Sequence, residues 1–198
     1  PSLSTFGHVT ADDITSTLNT MPNIHCALDP VPTWLLKKLL VTLAPTIAAM
    51  VNLSFSQGIF PNSQKHAIVK PLLKKPTLNP LDFKSYRPIS NLSFISKVVE
   101  KLAVQRFTTH AESNHLFPSN QSAYRKFHST ETAVTAVHND IVRAVDSGCV
   151  SALVLLDLSA AFDTIHHSTL NTVLHDRFGV NSSALDWFDS YHANRTQS

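Results

Sequence analysis

The sequence predicts a helix-rich α+β chain with one short hairpin and one further strand. Three observations lead there. Apolar residues recur at helical spacing through most of the 198 residues. The pattern contracts to β-like runs at residues 67–75, with a short return at 86–89, and at 150–156. Proline, glycine or asparagine brackets most of the changes of pattern. A composition of 43% hydrophobic and 15% charged residues is enough to bury a core, and excludes a disordered chain or a coiled coil.

Thr10-Ala11-Asp12-Asp13 reads as a capping box that starts the first helix, with Ile14 and Leu18 on one face. Asp29-Pro30-Val31-Pro32 interrupts the chain before the apolar segment Trp34 to Leu40. A further helix is expected from Pro45, a good first-turn residue, through Ile47, Met50, Val51 and Phe55 to a stop at Gly58. Residues 67–75 then read as a strand. Pro71 cannot donate to a ladder, which places that strand at an edge. The turn-rich residues 76–82 and Tyr86-Arg87-Pro88-Ile89 complete a hairpin carrying Lys70, Lys74, Lys75, Lys84 and Arg87. Ile95, Val98, Val99 and Leu102 mark the next helix, and Val134, Val137 and Ile141 another that closes near Gly148. Residues 150–156 are nearly continuously apolar, as in a strand buried on both faces, and end in Asp157. Two helices follow, one with Leu170, Val173, Leu174 and Phe178 before Gly179, the other with Leu185, Phe188 and Tyr191.

The net charge of +2 conceals a division. Residues 65–126 hold 11 of the 16 Lys and Arg but three of the 14 acids, so this segment carries +8 and the remainder −6. Such asymmetry points to a polyanionic partner for the basic segment. The four glycines are too scattered for a phosphate-cradling loop, which excludes dinucleotide-binding and P-loop readings. Cys26 and Cys149 form no CxxC pair, so no disulfide framework is expected and a reducing compartment fits. The first residues have no signal-peptide pattern, and no apolar run reaches the ~18 residues of a membrane span. A cytoplasmic or nuclear protein is expected, neither secreted nor membrane-bound, and the abrupt ends suggest a piece of a longer chain. The 11 histidines lack a recognisable zinc spacing and read as surface or helix-face residues.

A carboxylate at the carboxyl end of a buried strand is rigidly held where such folds place ligands, and is a good ligand for a hard cation. Asp157 would be that group. The competing reading is an Asp that caps the following helix.

The segments Lys70-Pro71-Leu72-Leu73-Lys74-Lys75, Tyr86-Arg87-Pro88-Ile89-Ser90-Asn91, Phe94-Ile95-Ser96-Lys97-Val98-Val99-Glu100-Lys101, Gln121-Ser122-Ala123-Tyr124-Arg125, Ser129-Thr130-Glu131-Thr132-Ala133 and Leu156-Asp157-Leu158-Ser159-Ala160-Ala161-Phe162-Asp163 resemble, in order and spacing, the reverse transcriptase of LINE-type (non-LTR) retrotransposons. The resemblance covers roughly residues 30–198. It implies part of a right-hand polymerase: a helical extension at 1–64, fingers at 65–148, and the first part of the palm at 149–198. Asp157 matches the ligand to both catalytic metals, Mg2+ or Mn2+, and the Leu158 carbonyl helps hold one of them. Lys74, Lys75 and Arg87 match residues that grip the triphosphate of the incoming nucleotide, and Phe162 the aromatic that blocks a ribose 2′-hydroxyl. Lys70, Gln121 and Arg125 fall to the nucleic acid. The implied partners are an RNA template, a DNA primer or target and deoxynucleoside triphosphates, with no membrane. Two-metal phosphoryl transfer requires such carboxylates, and cationic side chains neutralise the triphosphate. Asp163 belongs to the pattern, and both a bracing and a metal-binding role stay open for it.

The family's aromatic-x-Asp-Asp motif does not occur downstream of Asp157 in these residues, and Asp12-Asp13 reads as a helix start. The expectation is therefore an RNA-directed DNA polymerase fragment without polymerase activity. Two rivals remain. A non-enzymatic nucleic-acid-binding remnant would keep the basic segment. A haloacid-dehalogenase-like phosphatase would use a strand-end Asp157 but wants a second Asp where Ser159 stands.

Overall fold

The computed structural model describes residues 1–24, 26–158 and 164–198, which fall into two units: residues 1–114 with 166–198, and residues 115–165. The first unit starts with α1 (Ala11–Thr20) and its expected capping box. The Asp13 amide donates to Thr10 Oγ1 at 3.1 Å, and the Thr10 amide donates to Asp13 Oδ2 at 3.0 Å. The same carboxylate pairs with Arg106 at 2.9 Å. The Thr10 backbone hydrogen bond, aided by the Arg106 guanidinium, holds the Asp13 carboxyl below its ordinary range against a smaller opposing effect of burial.

Helix α2 (Thr33–Lys38) runs almost directly into α3 (Leu40–Gln57). The expected start of α3 at Pro45 is corrected by a turn: the helix begins at Leu40 and carries Pro45 inside it. Proline removes the bond to the Val41 carbonyl. Val41 is 93% exposed, so water reaches that position. Gly58 ends the helix at φ 64°, the left-handed conformation glycine adopts without strain. By length and mean hydropathy α3 passes for a membrane span, as core helices also can, although polar residues interrupt its apolar run. It instead buries Leu40, Ala44, Ile47, Ala48, Val51, Ser54 and Phe55 in the core.

Around α3 pack α1, α4 (Phe94–Ser113), α6 (His167–Asp176) and α7 (Ser182–His192). The centre is Trp187 on α7, 2% exposed. Its ring meets those of Phe6, Phe55, Phe60, Phe188 and Tyr191 at centroid distances of 5.4 to 5.7 Å. Its Nε1 donates to Ser54 Oγ at 3.0 Å, and that hydroxyl donates to the Ile59 carbonyl at 2.6 Å. A buried indole thus keeps its polar group satisfied. The sequence stripe Leu185, Phe188 and Tyr191 does flank the core, but Ala184 and Trp187 are the residues of α7 that it fully buries.

Between α4 and α7 lies a mostly buried carboxylate. Tyr191 donates its hydroxyl to Glu100 Oε1 at 2.9 Å, and Arg195 Nη2 stands 3.6 Å from the same oxygen. Arg195 Nε donates to the Tyr191 carbonyl at 2.7 Å. Burial pushes the Glu100 carboxyl above its ordinary range, and the Tyr191, Arg195 and Ser96 contacts only partly oppose it.

Strands β1 (His66–Leu73), β2 (Tyr86–Asn91) and β3 (Thr196–Gln197) form a mixed sheet in the order β2-β1-β3. The β1–β2 hairpin is antiparallel from Ile68↔Asn91 to Leu73↔Tyr86, and β3 lies parallel to His66 and Ala67. β1 is therefore central at its start and an edge only beyond, which refines the edge placement read from Pro71. The Val69 amide donates to the Ser198 carbonyl and the Ser198 amide to the Ala67 carbonyl. Odd-numbered residues of β1 therefore turn their backbone groups away from β2. Pro71 follows in that series past the end of β3, so the N–H it lacks would have met no strand.

The second unit holds α5 (Thr130–Asp146), which opens on a capping box between Ser129 and Thr132. None of its described residues is buried. The strand expected at residues 150–156 is corrected here: the segment has no regular structure, with Val150 99% and Leu156 91% exposed. A strand exists through its ladder partners, and no strand pairs with this segment among the described residues. The described architecture is thus helix-rich α+β with one small mixed sheet.

Trp187→Ala is expected to destabilise the chain by about 3–5 kcal/mol, and urea unfolding followed by circular dichroism measures it. Folded Glu100 keeps its proton to higher pH than the unfolded chain does, so its contribution to stability falls as pH rises above the ordinary glutamate value of 4.5. Glu100→Gln retains an acceptor for Tyr191 and should flatten that part of the stability profile. An unchanged slope in thermal unfolding across the acidic range would count against this account.

Candidate nucleotide and nucleic-acid interface

The hairpin is braced at its tip by its own side chains. The Lys74 amide donates to the Ser85 carbonyl at 2.8 Å, extending the ladder past β1. Asp82 caps the short 3-10 turn Phe83–Ser85 by accepting the Lys84 amide at 2.9 Å. The Leu81 amide donates to Asn79 Oδ1, and the Tyr86 hydroxyl to the Pro80 carbonyl, both at 2.9 Å. This is the turn chemistry expected of Asn, Asp and Pro.

On this frame the register pairs Lys70 with Ile89 and Leu72 with Arg87. Lys70 and Arg87 therefore stand on one face of the ladder. Lys74 donates its ammonium to the Lys84 carbonyl at 2.8 Å, which holds it at the tip with protons left to give. Lys70, Lys74, Lys75, Lys84 and Arg87 are all exposed. The hairpin's one acid, Asp82, is engaged in capping. Leu81 and Phe83 are exposed beside these cations. The structure thus brings Lys70, Lys74, Lys75 and Arg87 together on one element.

Three other cations of the basic segment serve the fold. Lys65 is buried, and burial together with Arg195 lowers its pKa. Arg106 pairs with Asp13, and Lys101 donates to Thr20 Oγ1 at 2.8 Å. Among the described residues of the basic segment, the hairpin holds the densest group of exposed cations.

In the second unit Gln121 and Arg125 share one loop. Gln121 Nε2 donates to the Ala123 carbonyl at 3.3 Å. Arg125 Nη1 donates to the Pro118 and Gln121 carbonyls at 3.4 Å, and its guanidinium lies 5.7 Å from the centre of the Phe117 ring. Both side chains therefore brace their own loop. Asp157 and Leu158 lie in the exposed irregular segment. Phe162 and Asp163 lie outside the described residues, as does Ser159.

Among the described residues no three His, Cys, Asp or Glu side chains gather into a metal site. One exposed carboxylate and one backbone carbonyl do not make a two-metal centre, so the described residues do not fit that group. The phosphatase reading fares no better, because the strand whose end would hold Asp157 is not formed.

Phe83, exposed at the tip of the hairpin, is not among the site residues expected from the sequence. The available signal was an aromatic set in a turn beside lysine, where small polar residues predominate.

The family model for reverse transcriptase (RNA-dependent DNA polymerase) matches residues 73–197. The "RNA-directed DNA polymerase from mobile element jockey" of Drosophila funebris is 33% identical over 113 residues, 57% of this chain and 12% of that protein. The "Probable RNA-directed DNA polymerase from transposon BS" of Drosophila melanogaster is 32% identical over 137 residues, 68% of this chain and 15% of that protein. The "Probable RNA-directed DNA polymerase from transposon X-element" of the same species is 34% identical over 119 residues, 60% and 13% of the two chains. This chain therefore spans 12–15% of the length of these relatives. The family implies divalent-metal chemistry on nucleic acid and deoxynucleoside triphosphates. With more than half of its residues matched, the chain belongs to the reverse transcriptase family and resembles there the polymerases of non-LTR retrotransposons.

Proposed function

We propose that this chain supplies the fingers and the opening of the palm to an RNA-directed DNA polymerase of a non-LTR retrotransposon. The carrying observation is the exposed cationic hairpin: Lys70, Lys74, Lys75, Lys84 and Arg87 stand on one braced element, and its one acid is engaged. Residues 65–148 act as fingers, 149–198 as the first part of the palm, and 1–64 as the helical extension that leads into the fingers.

In this reading Arg87 grips the triphosphate of the incoming nucleotide through its fork of donors, and Lys74 and Lys75 act as point charges. Lys70, Gln121 and Arg125 face the nucleic acid. Phe162 excludes the ribose 2′-hydroxyl. Asp157 and the Leu158 carbonyl supply one corner of the metal site of the whole polymerase, where Mg2+ or Mn2+ would activate the attacking hydroxyl and stabilise the leaving pyrophosphate. The other carboxylates of that site are not among these residues, so residues 1–198 bind without polymerising. An RNA template, a DNA primer or target and deoxynucleoside triphosphates are the partners, which places the work in the cytoplasm, the nucleus or both. The same hairpin also supports the plainer reading of a nucleic-acid-binding remnant, since phosphate neutralisation does not require Asp157.

Two measurements test this. The logarithm of the binding constant for labelled RNA should fall linearly with the logarithm of salt concentration. The Lys74→Ala/Lys75→Ala/Arg87→Ala variant should lower the slope by about two to three phosphate contacts, while Asp157→Ala leaves it unchanged. In primer extension on an RNA template with Mg2+, residues 1–198 should incorporate no nucleotide. Template-dependent incorporation would overturn the assignment of binding without catalysis.

A further inference from the structure

Phe83 is 93% exposed and its neighbour Leu81 88%, at the tip of the hairpin. Among the described residues Phe83 packs on almost nothing, and the turn does not need its ring. Asp82, Asn79, Tyr86 and Lys74 satisfy the turn through their own hydrogen bonds. The braced turn fixes the backbone that carries the ring, so binding a flat partner need order only the torsions of the Phe83 side chain. The same tip carries the exposed Lys74, Lys75 and Lys84, and the Lys74 ammonium is held at the carbonyl of Lys84, the residue that follows Phe83. A flat apolar face beside closely spaced phosphates describes an unpaired nucleotide. Stacking on aromatic side chains with phosphates on lysines is the general physics of single-strand binding.

We propose that Phe83 is the stacking platform for an unpaired base of single-stranded nucleic acid, whose adjoining phosphates rest on Lys74, Lys75 and Lys84. This rests on the hairpin being the nucleic-acid-binding element. Charge complementarity selects the occupant. A duplex presents the same phosphates but keeps its base faces stacked. An anionic membrane would attract the same lysines but would take Leu81 and Phe83 together. A protein partner would bury both apolar side chains.

The test is fluorescence anisotropy on residues 1–198 with labelled oligouridylate, oligothymidylate and a blunt RNA duplex, over a salt series. Phe83→Ala should weaken single-strand binding about tenfold with the salt slope unchanged, and should not change duplex binding. Phe83→Trp should restore the affinity, and its fluorescence should be quenched by the single strand above the background of Trp34 and Trp187. Leu81→Ala should bind as the unaltered chain does. Oligouridylate and oligothymidylate should lose affinity alike if the base face alone is read. A loss confined to oligouridylate assigns the site to RNA and keeps the platform. The proposal is overturned if Phe83→Ala binds single strands normally, or if Leu81→Ala loses as much as Phe83→Ala. Capture by phosphatidylserine vesicles that needs both apolar residues, with oligouridylate binding indifferent to Phe83, assigns the tip to a membrane. If the unaltered chain shows no salt-dependent binding to any nucleic acid, the functional reading itself fails, an outcome distinct from the failure of the platform. Both side chains are exposed, so the variants should fold.

Discussion

The indole of Trp187 holds the first unit together. Its N–H reaches Ser54, 133 positions earlier, and its faces and edges meet rings contributed by residues 6 to 191. Three of those partners, Phe6, Phe55 and Phe60, precede residue 73, where the match to the family begins. The family segment therefore does not fold against itself alone. Its last long helix, α7, is seated by an aromatic cluster that the preceding helical segment supplies. The hairpin starts six residues after Phe60 and is closed by β3 soon after α7, so both ends of the sheet are anchored near this cluster.

That anchoring bears on the charges. A cation of the basic segment that touches the core is taken up by it, as Lys65 is by burial and Arg106 by Asp13. The hairpin escapes because its cations are exposed and its turn is satisfied with uncharged acceptors and one aspartate. Its cations keep their hydration and their reach, which a phosphate-binding element requires. The +8 of residues 65–126 overstates the charge free to act, and the hairpin is the part that stands apart from the core.

What could be read beforehand divides by whether the cause is local. The Thr10–Asp13 box, the stop at Gly58 and the hairpin turn are decided by a few consecutive residues, and the sequence shows them plainly. Pro45 misled because a helix tolerates proline near its start when solvent reaches the freed carbonyl, and exposure is not local information. Trp187 lies outside the stripe of Leu185, Phe188 and Tyr191, and only the packing of α3 and the N-terminal residues against α7 makes it central. Residues 150–156 show the same limit most sharply. Their apolar content states a demand for neighbours on both faces, and a demand is not a ladder.

This difference in locality also separates the two halves of the candidate site. Gripping phosphate needs cations on one stiff element, and a hairpin of some two dozen residues supplies that by its own turn and register. Holding two metal ions needs several carboxylates brought together from distant parts of a chain, each oriented by a paired strand. Asp157 keeps its motif and lacks the ladder that would aim it. A motif preserves the identity of a ligand, and only partner strands convert that identity into a coordinate. On the proposed function, the binding half of the candidate site would therefore be intrinsic to this stretch of chain, whereas the catalytic half would depend on strands that pair with the segment carrying Asp157.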